Sequence, residues 1–166
     1  LLEESMVSGG VEPEPTPPKV KQDIRRLSVI LDGIEFVFGT GGIHASLHNT
    51  RVDSDDEYVI LDLDVTSYYP SLAISNGVYP EHLGEQFCEI YQDIKNQRLK
   101  YEKGTDENKA LKESLNIPYG DSNNKYGPFF DPKYTMTITV NGQLSLCMLY
   151  EQLRHIDRLS LIQVNT

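Results

Sequence analysis

The sequence predicts an α+β fold, an antiparallel sheet with packed helices, and three observations carry that prediction. Asp32-Gly33 stands between two apolar runs, Ser28–Leu31 and Ile34–Phe38, and supplies the positive φ angles of a two-residue hairpin turn. Tyr58-Val-Ile-Leu-Asp-Leu-Asp64 is an apolar, β-branched run of strand length. Phe87, Ile90, Tyr91 and Ile94 recur at i, i+3, i+4 and i+7, one face of a helix. With 166 residues the chain has the length of one ordinary domain and enough side chains for a core without disulfides.

Taken in order, residues 1–22 read as an acidic, Pro-rich linker, because Val11-Glu-Pro-Glu-Pro-Thr-Pro-Pro18 favours extended polyproline II and offers little to bury. Residues 23–50 hold the hairpin and a Gly-rich connection, Phe38-Gly-Thr-Gly-Gly42. Within 51–84 the Tyr58–Asp64 strand is expected to be central and covered on both faces. Within 85–125, helical patterning over 85–103 is broken by Gly104-Thr105-Asp106 and resumes from Asp106 to Leu115, which predicts an antiparallel helical hairpin. Residues 120–132 are rich in Gly, Asn, Asp and Pro and read as a loop. In the last segment, 126–166, a long helix is expected from Met136 to Leu159, despite the weak helix formers Thr137, Ile138, Thr139 and Val140. Leu161–Val164 reads as one more strand.

Cys88 and Cys147 are the only cysteines and form no CxxC, which argues against a zinc ribbon or a disulfide scaffold. His44 and His48 lack a helix to align them, so no metal site is read there. No apolar run reaches the length of a membrane span and no secretory leader opens the chain, so a cytoplasmic protein with no membrane partner is expected. The net charge of -10 argues, as an average, against nucleic-acid binding. Its distribution argues otherwise. Two unopposed patches, Glu3, Glu4, Glu12 and Glu14, then Asp53, Asp55, Asp56 and Glu57, account for most of the excess. Residues 95–112 are basic, with Lys95, Arg98, Lys100, Lys103, Lys109 and Lys112 against three acids.

Asp64-Val-Thr-Ser-Tyr-Tyr-Pro-Ser71 carries the sharpest chemistry. A carboxylate ends a strand and a tight turn follows. Asp62 and Asp64, two apart, share a strand face. A divalent cation would compensate such a pair; a solvated strand end with Asp capping a turn is the ordinary alternative.

This segment resembles the DxxSLYPS signature, motif A, of family B DNA polymerases, matching at Asp64, Ser67, Tyr69, Pro70 and Ser71, with Tyr68 in place of the usual Leu. The resemblance implies that Asp64, with the Val65 backbone, binds catalytic Mg2+, two ions in the complete enzyme. It also implies that Val65, Thr66, Ser67 and Tyr68 cradle an incoming triphosphate, and that Tyr69 lies under the sugar and excludes ribonucleotides. Lys112-Glu-Ser-Leu-Asn-Ile-Pro-Tyr-Gly120 is similar to motif B, KxxxNSxYG, at Lys112, Asn116, Tyr119 and Gly120, and departs from it at Ile117 and Pro118. If helical, Lys112, Asn116 and Tyr119 share a face. The similarity assigns Lys112 and Asn116 to nucleotide binding, with Lys112 counted as catalytic beside Asp64. It sets Tyr119 against the new base pair and gives Tyr119 and Gly120 contacts to DNA. Arg98 falls where family members grip the β- and γ-phosphates, and its forked guanidinium suits phosphate oxygens.

Phe38-Gly-Thr-Gly-Gly42-Ile-His44 loosely resembles the YxGG region of phage polymerases, which implies DNA contact at Gly41 and Gly42; a plain loop is the alternative. Phe129–Tyr134 and Ile138–Gln143 resemble the stretch leading to motif C, with Thr139 and Gln143 towards the primer. The expectation is therefore a fragment of a phage-type family B polymerase, covering part of the palm with a fingers insertion, in which the Tyr58–Asp64 and Leu161–Val164 strands lie side by side in one sheet so that motifs A and C meet. It stops just before the motif C aspartate at Asn165-Thr166 and needs the remaining C-terminal part, primer-template DNA and dNTP as partners. Two alternatives stand beside it: a catalytically incomplete nucleotide- or DNA-binding fragment, and a small acidic protein-interaction domain.

Overall fold

The computed structural model describes residues 27–166, and the linker expected over 1–22 lies outside them. Asp32 and Gly33 adopt φ of 50° and 80°, the left-handed pair that a two-residue hairpin turn requires. Strands β1 (Leu27–Leu31) and β2 (Ile34–Phe38) accordingly pair antiparallel, with Leu31 opposite Ile34. A reversal through Gly39–Gly42, closed by a bond from the Gly39 amide to the Gly42 carbonyl at 2.8 Å, leads into β3 (Ile43–Ser46). The last strand, β4 (Gln163–Asn165), pairs antiparallel with β3, giving one four-stranded sheet in the order β1-β2-β3-β4. Alternation decides its buried face: Ile34, Phe36, Ile43 and Ala45 point inward, while His44 and Ser46 face solvent.

Among the described residues four α-helices accompany the sheet: α1 (Tyr68–Asn76), α2 (Gln86–Arg98), α3 (Asp106–Asp121) and α4 (Pro132–Leu153). A single 3-10 turn, Glu81–Leu83, joins α1 to α2. The spine is α4. Tyr134 and Ile138 in its N-terminal half pack with Ala73, Phe87, Tyr91 and Leu115 of the other helices. Tyr150, with Leu146 and Cys147, packs on the inner face of the sheet. The expected helical hairpin is present. Asn108 Nδ2 bonds the Arg98 and Tyr101 carbonyls at 3.2 and 3.0 Å, and the Tyr91 hydroxyl bonds the Leu115 carbonyl at 2.5 Å. Contacts that spread in opposite directions along the two helices make them antiparallel.

Several boundaries differ from expectation. Helix α3 continues past Leu115 to Asp121, through Pro118. A proline inside a helix costs about 3 kcal/mol, but Leu115 and Pro118 are both buried and the last turn is tied to α4. Tyr119 Oη lies 2.8 Å from Thr139 Oγ1, and Ser122 Oγ 2.6 Å from Thr135 Oγ1. Helix α4 starts before Met136, because Asp131 caps it by accepting from the Tyr134 amide at 2.9 Å and Pro132 fills the first position. It ends before Leu159; Arg158 is left-handed at φ 63°.

The largest correction concerns Tyr58–Asp64. It forms no strand, and the expected pairing of this segment with the C-terminal strand is absent. Val59, Leu61 and Leu63 are 75%, 68% and 78% exposed, and Tyr58 and Ile60 on the alternate positions 53% and 45%, so the described residues cover the segment on neither face. The C-terminal strand, expected at Leu161–Val164, forms at Gln163–Asn165 and joins β3 instead. The physical reason is that β-branched composition expresses a fit to a pleated, half-buried surface, and it yields a strand only against a partner. No described strand lies beside residues 58–64. The segment is held at its start, where Arg158 Nη2 donates to Glu57 Oε1 at 3.0 Å and the guanidinium lies over the Tyr58 ring.

Candidate functional site

Where the exposed segment ends, Ser67 turns the chain sharply with φ 53° and ψ 54°, and α1 begins. The sequence held a signal for this unexpected helix: Pro70 in its first turn, and Gly77 at φ 60° just past its end. Being the N-cap, Ser67 would ordinarily bond an amide of the first turn, but its side chain makes no such bond. Its Oγ accepts instead from Arg98 Nη1 at 2.6 Å. One turn further, Ser71 Oγ accepts from Lys95 Nζ at 2.9 Å. Two cations at the end of α2 therefore fasten the helical hairpin to the start of α1.

Around this junction lies a cleft of about 240 Å3, lined by Asp64, Val65, Thr66, Ser67, Tyr68, Tyr69, Arg98, Lys103, Lys112 and Asn116. Lys112 and Asn116 reach it together because they are one helical turn apart on α3. Three cations face one carboxylate. They surround the N-terminus of α1, whose free backbone amides and dipole also favour negative charge. Such an arrangement binds an anion with several oxygens, such as a phosphate chain.

Beside the cleft the Tyr69 ring stacks on Tyr119, with centroids 4.0 Å apart and planes 20° apart. Its hydroxyl donates to the Gly41 carbonyl at 3.3 Å. Tyr119 Oη shares a hydrogen bond with Thr139, and burial pushes the Tyr119 phenol up.

Of the residues singled out from sequence, Asp64, Val65, Thr66, Ser67, Tyr68, Tyr69, Arg98, Lys112 and Asn116 come together. Tyr119 joins through its stack on Tyr69. Gly41 and Gly42 lie behind Tyr69. Gly42 is buried, and a Cβ there would collide with Thr166 Oγ1 and lie 3.6 Å from the Tyr69 hydroxyl. Gly120 does not join. It lines a separate open depression with Ile117 and Asp121, because one residue past Tyr119 the helix has turned to another side. The Tyr68 hydroxyl is committed to α4, donating to the Gly142 carbonyl at 2.6 Å, and burial raises its pKa. Thr139 and Gln143, expected towards a primer, are buried with internal partners. Lys103 was missed as a site residue; the basic bias of 95–112 was the signal that contained it.

Asp64 is the one carboxylate lining the cleft, and no group of three His, Cys, Asp or Glu side chains gathers anywhere among the described residues. Mg2+ is commonly held by one or two carboxylates plus substrate phosphates. The cleft therefore fits one cation carried in on a phosphate chain. It does not supply the second carboxylate that a two-ion centre uses.

No family model matches the chain, no curated protein matches it, and no solved structure matches its fold. Among the described residues no helix is long and apolar enough to cross a membrane.

Proposed function

We propose that this chain is the nucleotide-binding part of a family B–like DNA polymerase, in which the cleft receives the triphosphate of an incoming dNTP. One observation carries the reading. Residues from two segments chosen by their resemblance to motifs A and B, together with Arg98 between them, line one cleft although they are far apart in sequence.

In this reading Arg98, Lys103 and Lys112 neutralise the phosphate chain, and the α1 amides contribute further donors. Asn116 offers an amide beside Lys112. Tyr69, held flat by Tyr119, forms a rigid floor against C2′ of the sugar, where a hydroxyl clashes and a hydrogen does not. Asp64, with the Val65 carbonyl, holds the Mg2+ that the nucleotide carries; when bound, that ion offsets negative charge on the phosphates. Primer extension needs a second carboxylate aimed at the same metal ions. A nucleotide-binding unit that is catalytically incomplete by itself is therefore the narrower form of the same proposal, and primer-template DNA and the remainder of a polymerase are its expected partners.

The test is equilibrium binding of a fluorescent dNTP to the 166-residue chain with Mg2+, competed with unlabelled dNTP and dNMP. The expected result is binding that falls as salt rises, with triphosphate preferred over monophosphate. Equal competition by dNMP, or no binding at millimolar nucleotide, would overturn the proposal.

A further inference from the structure

Behind the cleft, α4 presents Thr139 and Gln143 one turn apart, and both are buried. Gln143 is the more unusual. Its single amide nitrogen donates to two carbonyls of one loop, Gly39 at 2.6 Å and Gly42 at 2.8 Å. Both donors of the NH2 group are therefore spent on the Gly-rich reversal between β2 and β3. Glycine is required there: at Gly42 no side chain fits beside Thr166. Thr166 Oγ1 in turn accepts from the Ile43 amide at 3.0 Å, closing the loop from its other side.

The carbonyl of this loop that meets Tyr69 is that of Gly41, which accepts from the Tyr69 hydroxyl. Tyr69 thus has two restraints, and both lead back to α4. Its face rests on Tyr119, bonded to Thr139; its hydroxyl rests on the loop, bonded by Gln143. A ring held at face and tip cannot retreat from a bulky sugar. Free at the tip, it can pivot about its contact with Tyr119.

We infer that Gln143 is a positioning residue for sugar selection: through the Gly39–Gly42 loop it fixes the Tyr69 hydroxyl, and so sets how strongly the cleft rejects a 2′-hydroxyl. The inference rests on the nucleotide-binding reading above and adds to it a residue that never touches the ligand. Replacing Gln143 by Met keeps the length and removes both donors. The loop then loses its tie to α4, Tyr69 gains freedom, and ribonucleotides gain relative to deoxyribonucleotides.

The experiment measures dissociation constants of dATP and ATP, each with Mg2+, for the 166-residue chain and its Gln143→Met, Tyr69→Phe and double variants, with thermal melts in parallel. The ratio of the ATP constant to the dATP constant should fall about five- to tenfold in Gln143→Met, the scale of one well-placed hydrogen bond, with dATP affinity held within twofold. Tyr69→Phe removes the other end of the same linkage, so the double variant should be no less selective than the worse single one. An unchanged ratio in a folded Gln143→Met chain overturns the inference. So does a double variant whose losses add, since independent effects need no shared path. Should Gln143→Met not fold, an unchanged ratio in Tyr69→Phe overturns it equally. Failure of the unmodified chain to bind dATP strikes instead at the nucleotide-binding reading, and the inference falls with it.

Discussion

Arg98→Ala is the most informative single perturbation of the cleft. Arg98 ends α2 half-buried and bonds Ser67 Oγ at 2.6 Å, so its head is already aimed at the start of α1. A hydrogen bond to a charged group contributes about 1.5–3 kcal/mol. In the free cleft part of that energy is already realised on Ser67, so nucleotide binding gains only the difference between a hydroxyl and a phosphate partner. The lower half of the range follows, about 1.5–2 kcal/mol, or about 10- to 30-fold in Kd. Lys103 and Lys112 remain, which keeps the loss partial. Arg98→Lys should recover some of it but not all, because an ammonium cannot hold Ser67 and two phosphate oxygens with a fork. The assay is displacement of a fluorescent dNTP in Mg2+ at low salt, with a melting curve for each variant, since Arg98 also fastens the hairpin to α1. Lys125→Ala is the matched control: it removes one positive charge from a residue that lies over the Tyr126 ring and outside the cleft. An Arg98→Ala chain that stays folded and binds within twofold of the unmodified one refutes the phosphate role. A comparable loss in Lys125→Ala would reduce the effect to net charge.

Asp64→Asn should lower the Mg2+ dependence of dNTP binding, while affinity for metal-free nucleotide rises as the cleft loses its one lining carboxylate; titration with and without a chelator reads both. Asp131→Ala removes the α4 cap and a second bond from the Glu81 amide at 2.9 Å, and should cost about 2 kcal/mol from one cap and one hydrogen bond, seen as a lower urea midpoint. Burial raises the Asp131 pKa, but the amides of Tyr134, Glu81 and Lys133 and the His82 charge outweigh it, so the net shift is downward. Its contribution is therefore present above the usual carboxylate pKa and lost as pH falls through the lowered value, a loss that Asp131→Ala should no longer show. Tyr134→Phe should be neutral or stabilising, because Tyr134 is 2% exposed and its hydroxyl has no hydrogen-bond partner among the described residues. Tyr91→Phe, which loses the Leu115 bond, should cost about 1 kcal/mol. Burial pushes the Tyr134 phenol up to about 12, so its share of stability is present below the ordinary tyrosine pKa of about 10 and lost as pH rises towards 12. Melts across alkaline pH should show that loss reduced in Tyr134→Phe.

Local chemistry was legible in the sequence wherever neighbours in the chain settle the outcome. Asp32-Gly33 determines its turn because positive φ at two successive residues is a local demand. The Phe87, Ile90, Tyr91 and Ile94 spacing marks α2 as a helix, although packing buries only Phe87 and Tyr91, half-buries Ile94 and leaves Ile90 exposed. Gly104-Thr105 determines where α3 begins, while α2 ends at Arg98, short of the 103 its patterning predicts. Lys112 and Asn116 share a face by helical geometry alone, so the part of the cleft that α3 supplies was legible in one dimension. Tertiary structure decided the rest, because each remaining outcome depends on a partner remote in sequence. Tyr58–Asp64 has every mark of a strand, yet a strand exists only against a neighbour, and β3 pairs with β4 instead. Pro118 reads as a helix end, yet buried contacts with α4 carry the helix past it. Gly41 and Gly42 read as DNA contacts by resemblance or as a plain loop, and neither reading holds a sign of Gln143, about a hundred positions away, which ties that loop to α4 behind Tyr69. The same distance separates Ser67 from Arg98 in kind if not in length: each looks ordinary in the sequence, and packing alone sets the guanidinium against the turn.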